Sequence, residues 1–172
     1  MGELRAGFHG DLEEIRDAIV RLGATVIDLI PRVTAVLLEQ DLEGAEYVIL
    51  GDADVDTRAT SIEERALSLL ALQAPVAGDL RQVATALKIS SEMERSADLC
   101  CNICKAARRI YGHELDPKLR GIIQKLSDQA QAEYRQALDA YAAVDAVRAA
   151  ALPDIDSFLD DLHRQFIQQI LE

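Results

Sequence analysis

Tryptophan is absent from this chain, and aromatic residues make up only 4% of it. Alanine and leucine dominate, with valine and isoleucine spread at helical spacing, which is the composition of a helical bundle with a small-residue core. Basic residues are scarce: 18 Lys and Arg against 30 Asp and Glu leave a net charge of −12. Such a surface repels phosphate backbones and anionic lipid, so bulk electrostatic binding of nucleic acid is excluded, whereas cations are welcome. No apolar run approaches the roughly 18 residues of a membrane span. The N-terminal Met1-Gly2-Glu3-Leu4-Arg5 has no basic stretch followed by an apolar one, so no signal peptide is expected. The three cysteines, Cys100, Cys101 and Cys104, are too clustered for a disulfide framework, and the expected location is the cytoplasm. Cys100 and Cys104 read as small buried residues, because a lone Cys-x-x-Cys lacks two of the ligands a structural zinc needs.

Several chemistries are missing as well. Asp52, Asp54 and Asp56 alternate as at the start of an EF-hand loop. Counted from Asp52, however, the glycine and glutamate of such a loop would fall on Thr57 and Glu63, so the match fails. There is no glycine-rich phosphate loop, no serine in a nucleophile motif, and no Glu-x-x-His of the di-iron bundles. His9, His113 and His163 lie far from the acidic motifs in sequence. No catalytic residue is assigned and an enzyme is not expected.

What is present is helical periodicity, punctuated by few breakers. Phe8 to Gln40 reads as one helix bent at Pro31, with Leu12, Ile15, Ile19, Leu22, Val26, Leu29 and Val33 on one face. Asp41 is a candidate N-cap for a second helix running to about Ala74, and Pro75 turns the chain back antiparallel. The third helix extends to about Tyr111, and Gly112 stops it. Its packing stripe is expected through Leu80, Val83 and Leu87, with Glu94 and Asp98 further along the same line. A fourth helix follows Pro117 to about Val144, and a fifth segment from Asp145 is expected to be interrupted at Pro153.

A shift of 104 residues aligns Asp41 with Asp145, Ala45 with Ala149, Asp52 with Asp156, Asp56 with Asp160, and Leu22 with Leu126. Three acids and several apolar positions in one register indicate an internal repeat. The expected fold is all-α: two tandem up-down three-helix bundles related by that repeat, the second lacking its third helix in this chain. The first covers residues 6–112 and the second, partial one 117–172. The apolar Phe166-Ile167-Ile170-Leu171 stretch then wants a partner, and dimerisation is one way to supply it.

Acids at i and i+4 on adjacent antiparallel helices would gather up to four carboxylates, which repel unless a cation is present. Oxygen-only ligands suit magnesium, calcium, manganese or iron better than a structural zinc. The plainer alternative is that these acids pair with Arg58, Arg95 or Lys105, or simply face water.

The run Leu72-Gln73-Ala74-Pro75-Val76-Ala77-Gly78-Asp79-Leu80-Arg81, then Leu87-Lys88-Ile89, then Glu94-Arg95-Ser96-Ala97-Asp98 with Asn102, resembles the PhoU family. These are the accessory and regulatory proteins of the phosphate-specific transport system. The resemblance covers essentially the whole chain and leaves out only the family's sixth helix. It implies two three-helix bundles with pseudo-twofold symmetry, each carrying E/D-x-x-x-D motifs where some members bind iron or zinc. By position the metal-ligating candidates are Asp52 with Asp56 and Glu94 with Asp98 in the first bundle, and Asp156 with Asp160 in the second. The implied function is regulation of phosphate uptake and of the phosphate-starvation response. The implied partners are the ATPase subunit of the phosphate ABC transporter, a phosphate-sensing histidine kinase and a second copy of the chain, with a metal ion (iron, zinc or magnesium) as cofactor. The alternative is a metal-binding carboxylate bundle that acts as an enzyme or a metal store.

Overall fold

A computed structural model describes residues 2–73, 75 and 77–171, with the side chains of residues 2–6 and 73 not described. Ala74 and Val76 of the motif around Pro75 thus lie outside the described residues. Five helices follow one another: α1 (Gly2–Glu39), α2 (Leu42–Gln73), α3 (Ala77–Arg109), α4 (Pro117–Ala142) and α5 (Ala146–Leu171). The first helix begins before Phe8. Pro31 and Pro153 both lie inside continuous helices. The expected interruption at Pro153 does not occur. Proline forfeits one backbone bond there, but the preceding Ala146-Val147-Arg148-Ala149-Ala150-Ala151-Leu152 is rich in strong helix formers.

α1, α2 and α3 pack on one another as a three-helix bundle, α4 lies along α1, and α5 packs on α4 alone among the described residues. α1 is therefore the central pillar, and it carries the largest fully buried side chains, Ile15, Ile19, Leu22, Val26 and Val33. Each such burial contributes roughly 1.5–3 kcal/mol. The buried stripe of α3 runs through Val83, Ala86, Ser90, Met93, Ala97, Cys100, Cys104 and Ala107 at alternating spacings of three and four. It is narrower in volume than the expected Leu80–Val83–Leu87 line, because Leu80 is 45% exposed and Leu87 only half-buried. Small residues let α3 sit close to α1 and α2, and the bulkier leucines are pushed to the flank.

The repeat is visible bond for bond at the two short turns. Gln40 (φ 58) and Val144 (φ 53) both adopt the left-handed conformation. After each, the aspartate N–H donates back to a helix carbonyl: Asp41 to Val36 at 3.1 Å and Asp145 to Ala140 at 2.9 Å. Asp41 Oδ1 then accepts from Gly44 N at 2.9 Å, and Asp145 Oδ1 from Arg148 N at 3.0 Å. The two copies meet where α1 crosses α4. Gln131 Nε2 donates to the carbonyl of Ile27, 104 residues earlier, at 3.1 Å, so repeat-equivalent positions touch each other. That is the signature of a pseudo-twofold axis. Beside it Gly23 makes room for Leu138: a Cβ on Gly23 would lie 2.6 Å from Leu138 Cδ1.

Gly112 (φ 83) ends α3 as expected, and Gln40 clamps the linker behind it. Its amide donates to His113 O at 2.7 Å and accepts from Gly112 N at 2.8 Å. Asp116 caps α4 through Lys118 N and Leu119 N, with Pro117 as the first helical residue.

Candidate functional site

The buried stripe of α2 passes through Ala45, Val48, Val55, Ala59, Ile62, Ala66 and Leu69. Spacings of three and four hold throughout if Asp52 is counted as one of its members. An acid thus occupies a core position. The apolar core divides there: Val55 and Ala59 belong to one cluster, Ala45 and Val48 to another. Asp52 is half-buried, and its Oδ1 is cut off from solvent with no hydrogen-bond partner. An orphaned carboxylate oxygen of this kind is costly unless a cation or proton meets it.

Across from it, α3 presents the three thiols. Burial first, then the proximity of Asp52, pushes Cys101 up to about 12; burial, Cys104 and Asp52 push Cys100 up to about 11. The Cys101 thiol donates to Val48 O at 3.8 Å. All three cysteines are free and buried, as expected of Cys100 and Cys104. At neutral pH they are un-ionised and poor metal ligands.

Asp56, Glu94 and Asp98 flank the same α2–α3 seam. Glu94 is half-buried, and its carboxyl is held above the usual range by desolvation, then by Asp98, Asp56 and Asp52. The two acidic couples therefore share one electrostatic neighbourhood. A cleft of about 380 Å³ opens along it, lined by Asp56, Thr60, Glu63, Leu87, Ser91 and Glu94 among others. Glu63 was not among the residues expected from sequence. It lies two turns beyond Asp56 on the same side of α2, a spacing that could have pointed to it. Two of the cations expected to neutralise these acids are engaged elsewhere, Arg58 with Asp54 at 2.6 Å and Arg95 with Glu92 at 3.9 Å, while the charge of Lys105 is felt at Cys101 beside Asp52. Among the described residues no ion pair reaches Asp52, Asp56, Glu94 or Asp98.

The donor set suits a hard cation in chemistry: carboxylate oxygens, one of them orphaned, in mutual repulsion. The spacing is looser. Among the described residues no three acidic, thiol or imidazole groups converge closely enough to hold an ion as they stand. The carboxylates are strung along the groove and would have to draw together, or use water, to share one metal. Asp156 and Asp160 lie exposed on α5, and no acidic helix faces them among the described residues.

The sequence matches the PhoU domain over residues 19–107, more than half of the chain. It is 31% identical, over 98% of its length and 77% of theirs, to the phosphate-specific transport system accessory protein PhoU homolog 1 of Mycobacterium leprae. PhoU of Serratia marcescens, with the same description, is 29% identical over 95% of this chain and 67% of that one. In three dimensions the chain is similar to the crystal structure of PhoU from Pseudomonas aeruginosa, with a TM-score of 0.89 and 23% identity over 95% of this chain and 78% of that one. The phosphate transport system regulatory protein PhoU from Streptococcus pneumoniae gives a TM-score of 0.86 at 24% identity, over 95% and 77%. These two likenesses are of fold. With the domain match and the mycobacterial identity beside them, they establish that the chain belongs to the PhoU family.

Proposed function

We propose that this protein is a regulatory accessory protein of phosphate uptake that restrains the phosphate-starvation response. The observation that carries the reading is the 31% identity across nearly the whole chain to proteins described as phosphate transport accessories. On this reading its role is that of an adaptor and not an enzyme. Helix faces contact the ATPase subunit of a phosphate ABC transporter and a phosphate-sensing histidine kinase, and two copies of the chain pair. It works in the cytoplasm; among the described residues no helix is long and apolar enough to cross a membrane. Affinity capture from phosphate-replete cells is expected to recover the ATPase subunit and the kinase, and recovery of neither would sink the adaptor role.

The same reading assigns a divalent cation to the α2–α3 groove, held by Asp52, Asp56, Glu94 and Asp98, with Asp156 and Asp160 as a partial second set. What supports it is the orphaned Asp52 oxygen and the lack of an ion-pair partner for the four acids among the described residues. A bound ion would relieve their repulsion and tie α2 to α3. Thermal melts with magnesium, manganese, iron(II) or zinc against chelator test this. The cation is expected to raise Tm in the parent and much less in Glu94→Gln. In chelator, Glu94→Gln is expected to be more stable than the parent at pH 7. The sign follows from a folded-state pKa above the unfolded one: ionised Glu94 weakens the fold above about pH 4.5. Equal cation response in both proteins would remove Glu94 from the site.

A further inference from the structure

A second cavity, of about 460 Å³, opens where α1 and α3 meet the turn between α4 and α5. It is separate from the acidic groove, and its size is that of a small-molecule site. Leu12, Ile89, Ala137, Ala140, Ala149 and Leu152 make its walls largely hydrocarbon. Donors outnumber carboxylates among its polar groups. Arg16, Arg81, Gln82, Thr85 and Tyr141 all bring hydrogen-bond donors to it. Arg16 Nη2 donates to Gln82 Oε1 at 3.2 Å, which leaves most of that guanidinium uncommitted. Arg81 is exposed and has no ion-pair partner among the described residues. Burial raises the Tyr141 phenol and the charge of Arg16, which lines the same cavity, opposes that rise.

One acid touches the rim, Asp145, and it is already spent. Its Oδ1 accepts from Val147 N and Arg148 N at 3.0 Å each, and its Oδ2 pairs with Arg148 Nε at 3.3 Å. The first-turn amides of α5 are thereby capped, so the positive charge on offer at the cavity is that of the arginines. In a chain of net charge −12, this cavity joins two uncompensated arginines to an apolar interior. Neither feature is needed to hold α1 against α3, which the buried core already does.

We infer that this cavity binds an amphiphilic organic anion, with a carboxylate or phosphate-monoester head on Arg16 and Arg81 and a hydrocarbon body against the alanine and leucine walls. The apolar lining argues against inorganic phosphate alone, which would leave the interior empty. The arginines argue against a neutral lipid or alcohol.

Calorimetric titration of the whole chain with decyl phosphate, decanoate, decanol and inorganic phosphate tests the inference. Saturable binding of one decyl phosphate or one decanoate per chain is expected, and which of them binds more tightly identifies the head group. Decanol and inorganic phosphate are each expected to bind at least about tenfold more weakly, since each lacks one half of the recognition. Arg16→Gln and Arg81→Gln should each weaken the acid about tenfold, the worth of one charge-assisted contact. Both side chains lie on helix flanks, and unchanged melting curves would confirm folding. Phe158→Asp, on the exposed face of α5, should leave binding untouched. The inference is overturned if neither acid saturates, if decanol or inorganic phosphate matches the acids, or if the arginine variants bind as the parent does. Loss of binding in Phe158→Asp with retention in the arginine variants would place the ligand on α5 instead, and equally overturn it.

Discussion

At the scale of single residues, Asp52 shows how a site is written into a core. It takes a position that the alternating three-and-four spacing of α2 reserves for an apolar side chain, and the hydrophobic interior parts around it. Its kinship with Asp56 was legible from the i,i+4 spacing. Its burial was also latent in the spacing, but only once Ala45, Val48, Val55 and Ala59 are read as one stripe. The thiols opposite give a pH test. Cys100 and Cys101 keep their protons to about 11 and about 12, against 9.0 for a free thiol. Above pH 9 the unfolded chain therefore holds fewer protons than the folded one, and stability falls as pH rises; below pH 9 the thiols have no effect. Urea melts under reducing conditions between pH 8 and 10.5 are expected to show this decline. Cys101→Ala should flatten it by up to about 1.4 kcal/mol per pH unit. The left-handed residues give a second test. Val144 is β-branched at φ 53, so Val144→Asn is expected to stabilise by about 1 kcal/mol. At the equivalent Gln40 the sign reverses, because Gln40→Ala loses two hydrogen bonds to the α3–α4 linker, about 1 kcal/mol or more.

At the scale of helices, the sequence reading located all five and the caps at Asp41 and Gly112. It misplaced two things for physical reasons. It drew the α3 stripe through leucines, whereas close packing against two neighbours selects the row of alanines, serine and cysteines. It treated Pro153 as a break, when the alanine-rich turn before it carries the helix through. Gly23 of α1 is the seat for Leu138 of α4. A contact that spans the two repeats has no local signal, since nothing within one helix announces which neighbour will need the space. Gly23→Val is expected to cost about 1–3 kcal/mol by overpacking, and Leu138→Ala about 2–4 kcal/mol by leaving a cavity. Together they should cost less than their sum by about 1 kcal/mol, because each removes the other's conflict. Strict additivity in a double-mutant cycle would mean that this crossing does not carry the α1–α4 interface.

At the scale of the molecule, stability is graded along the chain. α1 touches α2, α3 and α4, whereas α5 touches only α4 and has no buried residue among those described. Phe158, Ile170 and Leu171 are more than half exposed. Hydrogen exchange is accordingly expected to be slowest in the middle of α1 and fastest, among the helices, in α5; equal protection across all five would contradict the packing. The duplication itself was readable from Asp41, Asp52 and Asp56 and their counterparts, but its axis was not. Only the Gln131–Ile27 contact shows that the copies face each other across a dyad.

The Gln40 clamp carries a mechanical implication. Its copy at Val144 reproduces the bend with no amide reaching across to a linker, so the later hairpin is held at its elbow by main-chain bonds and the Asp145 cap. Two joints of one geometry thus differ in stiffness. The elbow before α2 is tied by a side chain to a distant linker, whereas the elbow before α5 is tied only to its own neighbours in sequence.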